Sequence, residues 1–272
     1  MNEKIGFSVH EAIAARLSVR TYGSEQVEAA VIEKIKAYAA AIENPFEAKT
    51  DIHFVEKSTA ANGEKLGTYG FIKGAKLFIC VTAEDRPDAA LAVGYVFEQL
   101  VLYMTSLGLG TCWLGGTFNK GAFAQAIRLQ EGTLLPILSP VGYAAKSLRP
   151  LEKIFRTSLK ADKRQPAEKL FFEKDFATPL HAPDFAGALE NVRLAPSARN
   201  MQPWRVVRED NAFHFFRTDD MPFMQTIDIG IALNHFCLSL QEAGVKYSIE
   251  KSDVPQINSP KGIKYVISCR VI

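Results

Sequence analysis

A chain of 272 residues, 47% hydrophobic and 23% charged, can form one large domain or two small ones with a real core. That composition excludes disordered, collagen-like and coiled-coil classes. With 32 basic against 30 acidic residues, a net charge of +2 and no basic stripe, no nucleic-acid partner is expected.

The N-terminus, MNEKIGFSVH, has no apolar signal core, and no apolar run reaches the ~20 residues of a membrane span. A cytoplasmic protein without a membrane partner is therefore expected. Next comes ARLSVRTY (15–22), where Arg16, Ser18 and Arg20 form an R-x-S-x-R pattern. On a helix Arg16 and Arg20 share a face; in an extended segment all three residues do. Two guanidiniums and a hydroxyl make an anion clamp, because the Arg fork matches phosphate oxygens. A helix is predicted over 31–43 and strands over IHFVEK (52–57) and KLFICVT (76–82), separated by STAANGEKLGTYGFIKG (58–74). The long apolar helix of 90–110 runs into GLGTCWLGG (108–116), and PILSPVGY (136–143) reads as a strand.

Residues 144–169 are rich in charge, carry two prolines and read as a linker, with KADKR (160–164) solvated. A helix follows over 185–195, then the connection APSARNMQPW (195–204), in which Pro, Ser and Asn all favour turns. Strands are predicted over WRVVRE (204–209) and AFHFFRT (212–218). A second long helix covers 226–246 and a final strand KYVISCRVI (264–272).

This order repeats. Gly94 and Gly230 are 136 positions apart, as are Gly108 and Gly244, and the strands before the long helices match at the same offset. Upstream, IHFVEK and WRVVRE match at an offset of 152, so the first half carries about sixteen extra residues around 58–74. The class is mixed α+β, with halves at 1–150 and 151–272 intertwined into one structural unit. The clamp is lost from the second half, where Glu168 stands opposite Arg16. The reverse holds for Pro-Ser-x-x-Asn, opposite which the first half has NPFEA (44–48). The glycine-rich end is likewise replaced by GVKYSIEKS (244–252). Complementary losses predict one composite site per chain. Asn200 is then expected to matter and its counterpart Ala48 to tolerate change.

R-x-S-x-R, A-P-S-x-x-N-x-Q-P-W and G-L-G-T-C-W-x-G-G together resemble the FMN-dependent nitroreductase family, over essentially the whole chain. The order is unusual, because the Pro-Ser-x-x-Asn motif comes so late. It resembles a subgroup with a duplicated unit, in which one chain mimics the family's homodimer. The resemblance implies the nitroreductase fold, FMN as cofactor and NAD(P)H as reductant. It also implies a small electron acceptor such as a nitroaromatic or quinone, used in ping-pong fashion. It implies one flavin per chain and a monomer or weak homodimer. By the same resemblance, Arg16 and Ser18 hold the FMN phosphate and ribityl chain, and Arg20 sits near the N1/O2 edge of the ring. Backbone amides at Leu114, Gly115 and Gly116 face N5 and O4, and Pro196, Ser197 and Asn200 close over the flavin. A late basic residue, Arg149 or Lys146, reaches the phosphate, and Tyr69 in the extra segment touches the flavin.

Other chemistries lack their marks. The five histidines form no H-x-H or H-E-x-x-H pair and the four cysteines no C-x-x-C pair, so no metal is expected. There is no G-x-S-x-G elbow, and the glycines at 108, 110, 115 and 116 do not make a dinucleotide fingerprint. His235 and both tryptophans read as core. With no acid–base dyad legible, no side chain is expected to be catalytic and the flavin carries the chemistry. The rival reading is a protein that stores or senses FMN without turnover.

Overall fold

The computed structural model describes residues 5–57, 66–147, 149–251 and 257–272. The chain forms two compact units, Ala15–Ser158 and Met1–Ala14 with Leu159–Ile272. This division differs from one at 150/151. The first helix, α1 (Val9–Ala15), packs with the C-terminal residues: Val9 N donates to Glu242 Oε1 at 2.8 Å, and His10 Nδ1 lies 2.9 Å from Asn191 Oδ1. Part of the extra segment of the first half, 58–65, lies outside the described residues.

The 15–158 unit contains α2 (Ala29–Ala41), β1 (Thr50–Glu56), β2 (Leu77–Glu84), α3 (Ala89–Ser106), β3 (Gly110–Thr111), α4 (Lys120–Ala126), β4 (Thr133–Gly142) and α5 (Pro150–Ser158). Its sheet has the order β1-β2-β4-β3, antiparallel throughout. The continuous apolar run of β2 is buried from Leu77 to Ala83, as befits a strand covered on both faces. By length and composition α3 could cross a membrane, but 78% of it is buried, which marks it as a core helix.

In the other unit lie β5 (Phe171–Glu173), α6 (Ala186–Leu194), β6 (Trp204–Glu209), β7 (Ala212–Thr218), α7 (Pro222–Glu242), β8 (Tyr247–Glu250) and β9 (Ile263–Val271). The sheet order is β5-β6-β7-β9-β8, with only β5 parallel to its neighbour. Apart from β5, this is the order of the first sheet.

The register agrees as well. Ile52 faces Val81, and the residues 152 and 136 positions on, Trp204 and Arg217, face each other. Both long helices end in the same way. Gly108 (φ +77°) and Gly244 (φ +71°) donate to Thr105 O and Gln241 O. The residues after them, Leu109 and Val245, donate to Met104 O and Leu240 O. This is the Schellman stop, which needs a left-handed residue that glycine supplies without strain.

The charged stretch of 144–169 is not a plain linker. It contains α5, which begins at Pro150, a residue suited to the first helical turn because its missing N–H would have no intrahelical partner there.

Candidate functional site

The R-x-S-x-R segment is extended. α1 stops at Ala15, and the chain continues as a ribbon bridged at Ser18–Thr111, Thr21–Lys73 and Tyr22–Ala144. Val19 N donates to Thr111 O at 2.8 Å, and Tyr22 N to Lys73 O at 2.9 Å. The close approach to β3 needs glycine at 110, since a Cβ there would lie 2.6 Å from Val19 Cγ2. The ribbon and the glycine-rich end are thus brought together within one unit.

Arg16 is buried, 8% exposed, and its Nε has no hydrogen-bond partner. The nearest carboxylate oxygen, Glu98 Oε1, is 4.0 Å away. Burial lowers the guanidinium's pKa, and Glu98 pulls it back up. Glu98, fully buried on α3, also accepts from the Trp113 indole N–H at 2.9 Å. Arg20 is half-buried, and among the described residues its guanidinium has no hydrogen-bond or ion-pair partner. Both arginines act on the Cys112 thiol. Burial raises that thiol's pKa, while Arg20, Arg16 and a hydrogen bond with Ser18 oppose the rise. Two cations, a hydroxyl and the turn after β3 therefore share one neighbourhood.

The amides of that turn divide. Leu114 N donates to Leu138 O at 2.9 Å, so the expectation that it faces a ligand is corrected: the sheet edge has engaged it. Gly115 and Gly116 are exposed, and among the described residues neither amide has a partner. A Cβ at Gly116 would meet nothing within 4 Å, so there is open room beside it.

Arg149 is not a free phosphate ligand. Its guanidinium donates to Thr21 Oγ1 (3.0 Å), Phe71 O (3.1 Å), and Arg20 O and Gly70 O (both 3.4 Å). It ties the ribbon to the turn carrying Tyr69, a residue 68% exposed and left-handed at φ 47°. Lys146 is exposed. Glu152 on α5, 1% exposed, holds the same ribbon by accepting from Arg20 N and Thr21 Oγ1.

A buried guanidinium nitrogen without a partner, a second unpartnered guanidinium and two free amides with open space suit a phosphate-bearing, planar ligand such as FMN. The comparisons with known proteins point to one family. The family described as "Putative TM nitroreductase" matches residues 8–240. The chain belongs to this nitroreductase family.

Among solved structures, this chain resembles a "putative nitroreductase" of Thermotoga maritima at 21% identity and a TM-score of 0.64, covering 97% of this chain and 93% of that one. The nitroreductase fold follows. Weaker likenesses include a nitroreductase with bound FMN from Bacteroides fragilis (21% identity, TM-score 0.43, 52% and 91% covered). Another is an FMN-dependent nitroreductase of Clostridium difficile (18%, 0.41, 51% and 88%). No curated protein matches.

In the other unit of this chain, the connection 195–204 is tightly held. Asn200 Nδ2 donates to Lys160 O (2.8 Å) and Lys163 O (3.0 Å), while its Oδ1 accepts from Arg164 Nη1 (3.2 Å). Ser197 Oγ accepts from Gln202 N, and Gln202 Oε1 from Gln165 N. Arg199, Asn200 and Gln202 all have left-handed backbone, at φ 53°, 56° and 51°. Three such non-glycine residues in four positions persist only where the surroundings dictate them, and they cluster at functional sites. KADKR is thus no bare linker, because it supplies the loop's partners. Pro196 and Ser197 are half-buried. Ala48, the counterpart of Asn200, is fully buried. His235 is core, its Nδ1 2.8 Å from Asn191 O.

Sequence reasoning missed Glu98, Glu152, Arg164 and Asp228. Single acids and bases have no spacing pattern, and only Pro150 at a helix start offered a signal near Glu152.

Proposed function

We propose that this nitroreductase is an FMN-dependent oxidoreductase that uses NAD(P)H to reduce an electron-poor acceptor such as a nitroaromatic or quinone. The observation that carries this reading is the arginine pair on one ribbon: among the described residues, the buried Arg16 Nε makes no hydrogen bond and the Arg20 guanidinium has no hydrogen-bond or ion-pair partner. When bound, FMN supplies the hydride chemistry, the nicotinamide and the acceptor using one place in turn.

The chain's own groups bind and tune. Arg16 and Ser18 hold the phosphate and ribityl chain. Arg20 provides a fixed cation for the charge gained on reduction. Gly115 and Gly116 offer their amides to the ring. Arg149 and Glu152 position the ribbon, and Tyr69 stands exposed beside it. In the other unit, Asn200 holds the turn that carries Ser197.

In this reading the chain arose by duplication, binds one flavin and acts as a monomer or weak homodimer in the cytoplasm. The shared strand order, the matching register and the two identical helix stops support the duplication.

Equilibrium titration of flavin-free protein with FMN tests the proposal. Saturation at one FMN per chain is expected, weakened about tenfold or more by Arg16→Ala, the scale of a lost charged hydrogen bond. No binding, or binding indifferent to Arg16 and Arg20, contradicts it.

A further inference from the structure

α7 carries a buried acid that the flavin reading does not use. Asp228 is 3% exposed, one of its oxygens accepts from Ala198 N at 2.9 Å, and the other, Oδ2, is buried without a partner among the described residues. Ala198 lies inside the strained loop, between Ser197 and the left-handed Arg199 and Asn200.

The first half of the chain provides an internal comparison. The position 136 before Asp228 is Ala92, fully buried on α3. There the counterpart loop is held from the helix end instead: Asp88 Oδ2 accepts from Glu47 N (2.8 Å) and Ala48 N (3.1 Å). Both halves therefore tie the loop to the long helix through an aspartate. In the second half the acid has moved one turn inward, into the core. A carboxyl with an unsatisfied buried oxygen costs stability that an apolar side chain there would not. An alanine serves the helix at the equivalent position, so the fold alone does not require the acid.

We propose that Asp228 is a positioning residue: its hydrogen bond to Ala198 N draws the Ser197–Gln202 turn onto α7 and holds its left-handed residues in place, at a cost in stability to the fold.

Two variants separate loop from fold. Asp228→Leu is close in size, removes the buried acid and leaves Ala198 N without an acceptor. Asp228→Asn keeps an acceptor oxygen. In flavin-free protein, hydrogen exchange across 197–202 should accelerate in Asp228→Leu and stay near wild type in Asp228→Asn. Urea stability of the Leu variant should be equal or higher. Unchanged loop exchange in the Leu variant overturns the proposal. So does failure of that variant to fold, which would make the acid a structural necessity.

Discussion

Glu98 and Asp228 are buried acids with opposite consequences. Glu98 lies beside Arg16 and accepts from the Trp113 indole, so removing it harms both. Glu98→Ala would leave Arg16 buried with no carboxylate and the Trp113 indole with no acceptor, a loss of about 3 kcal/mol by urea unfolding. Asp228 has one partner, and burial pushes its pKa to about 8 against a usual 3.8. Between those values the folded chain holds a proton that the unfolded chain has released. Its contribution to stability is therefore greatest in acid and is lost as pH rises toward 8. Asp228→Asn should erase this slope. Thermal midpoints of the two proteins from pH 5 to 8 should diverge with pH in favour of the variant; parallel curves would contradict it. None of these acids was legible in the sequence. Arg16, Ser18, Arg20 and Asn200 were, because R-x-S-x-R and P-S-x-x-N are patterns and a lone buried acid is not.

At the scale of elements, the ribbon from Arg16 to Tyr22 depends on two glycines that let it lie flat. At Gly74 (φ +86°) a Cβ would sit 2.3 Å from Tyr22 O, a backbone atom that cannot yield. Gly74→Ala should cost about 2 kcal/mol or more in urea unfolding, combining strain and clash. Gly110→Ala pushes Val19 away from β3 and should weaken FMN binding more than it lowers stability. An FMN titration beside a melting curve separates the two effects. The long helices and strands β1, β2, β4, β6, β7 and β9 were legible from apolar runs and glycine stops. Helix α5 was not, because charge hides its single buried acid, Glu152. Strands β3, β5 and β8 were not, because two to four residues are too few to show a period.

For the whole molecule, the repeat offsets read from the sequence reappear in the strand register, and the fold is that of the nitroreductase family. A composition near neutral, with neither acid–base dyad nor metal spacing, points the sequence reading to a cofactor, and in the proposed function the two arginines of the ribbon hold that cofactor's phosphate end. The central claim is that the chain turns over a flavin. Its most direct test is anaerobic addition of NADH, then NADPH, to FMN-loaded protein while the visible flavin band is followed, with a quinone added afterwards. The account predicts bleaching by at least one nicotinamide and return of the band with the quinone. A band that neither nicotinamide bleaches would contradict it and leave a protein that only stores or senses FMN.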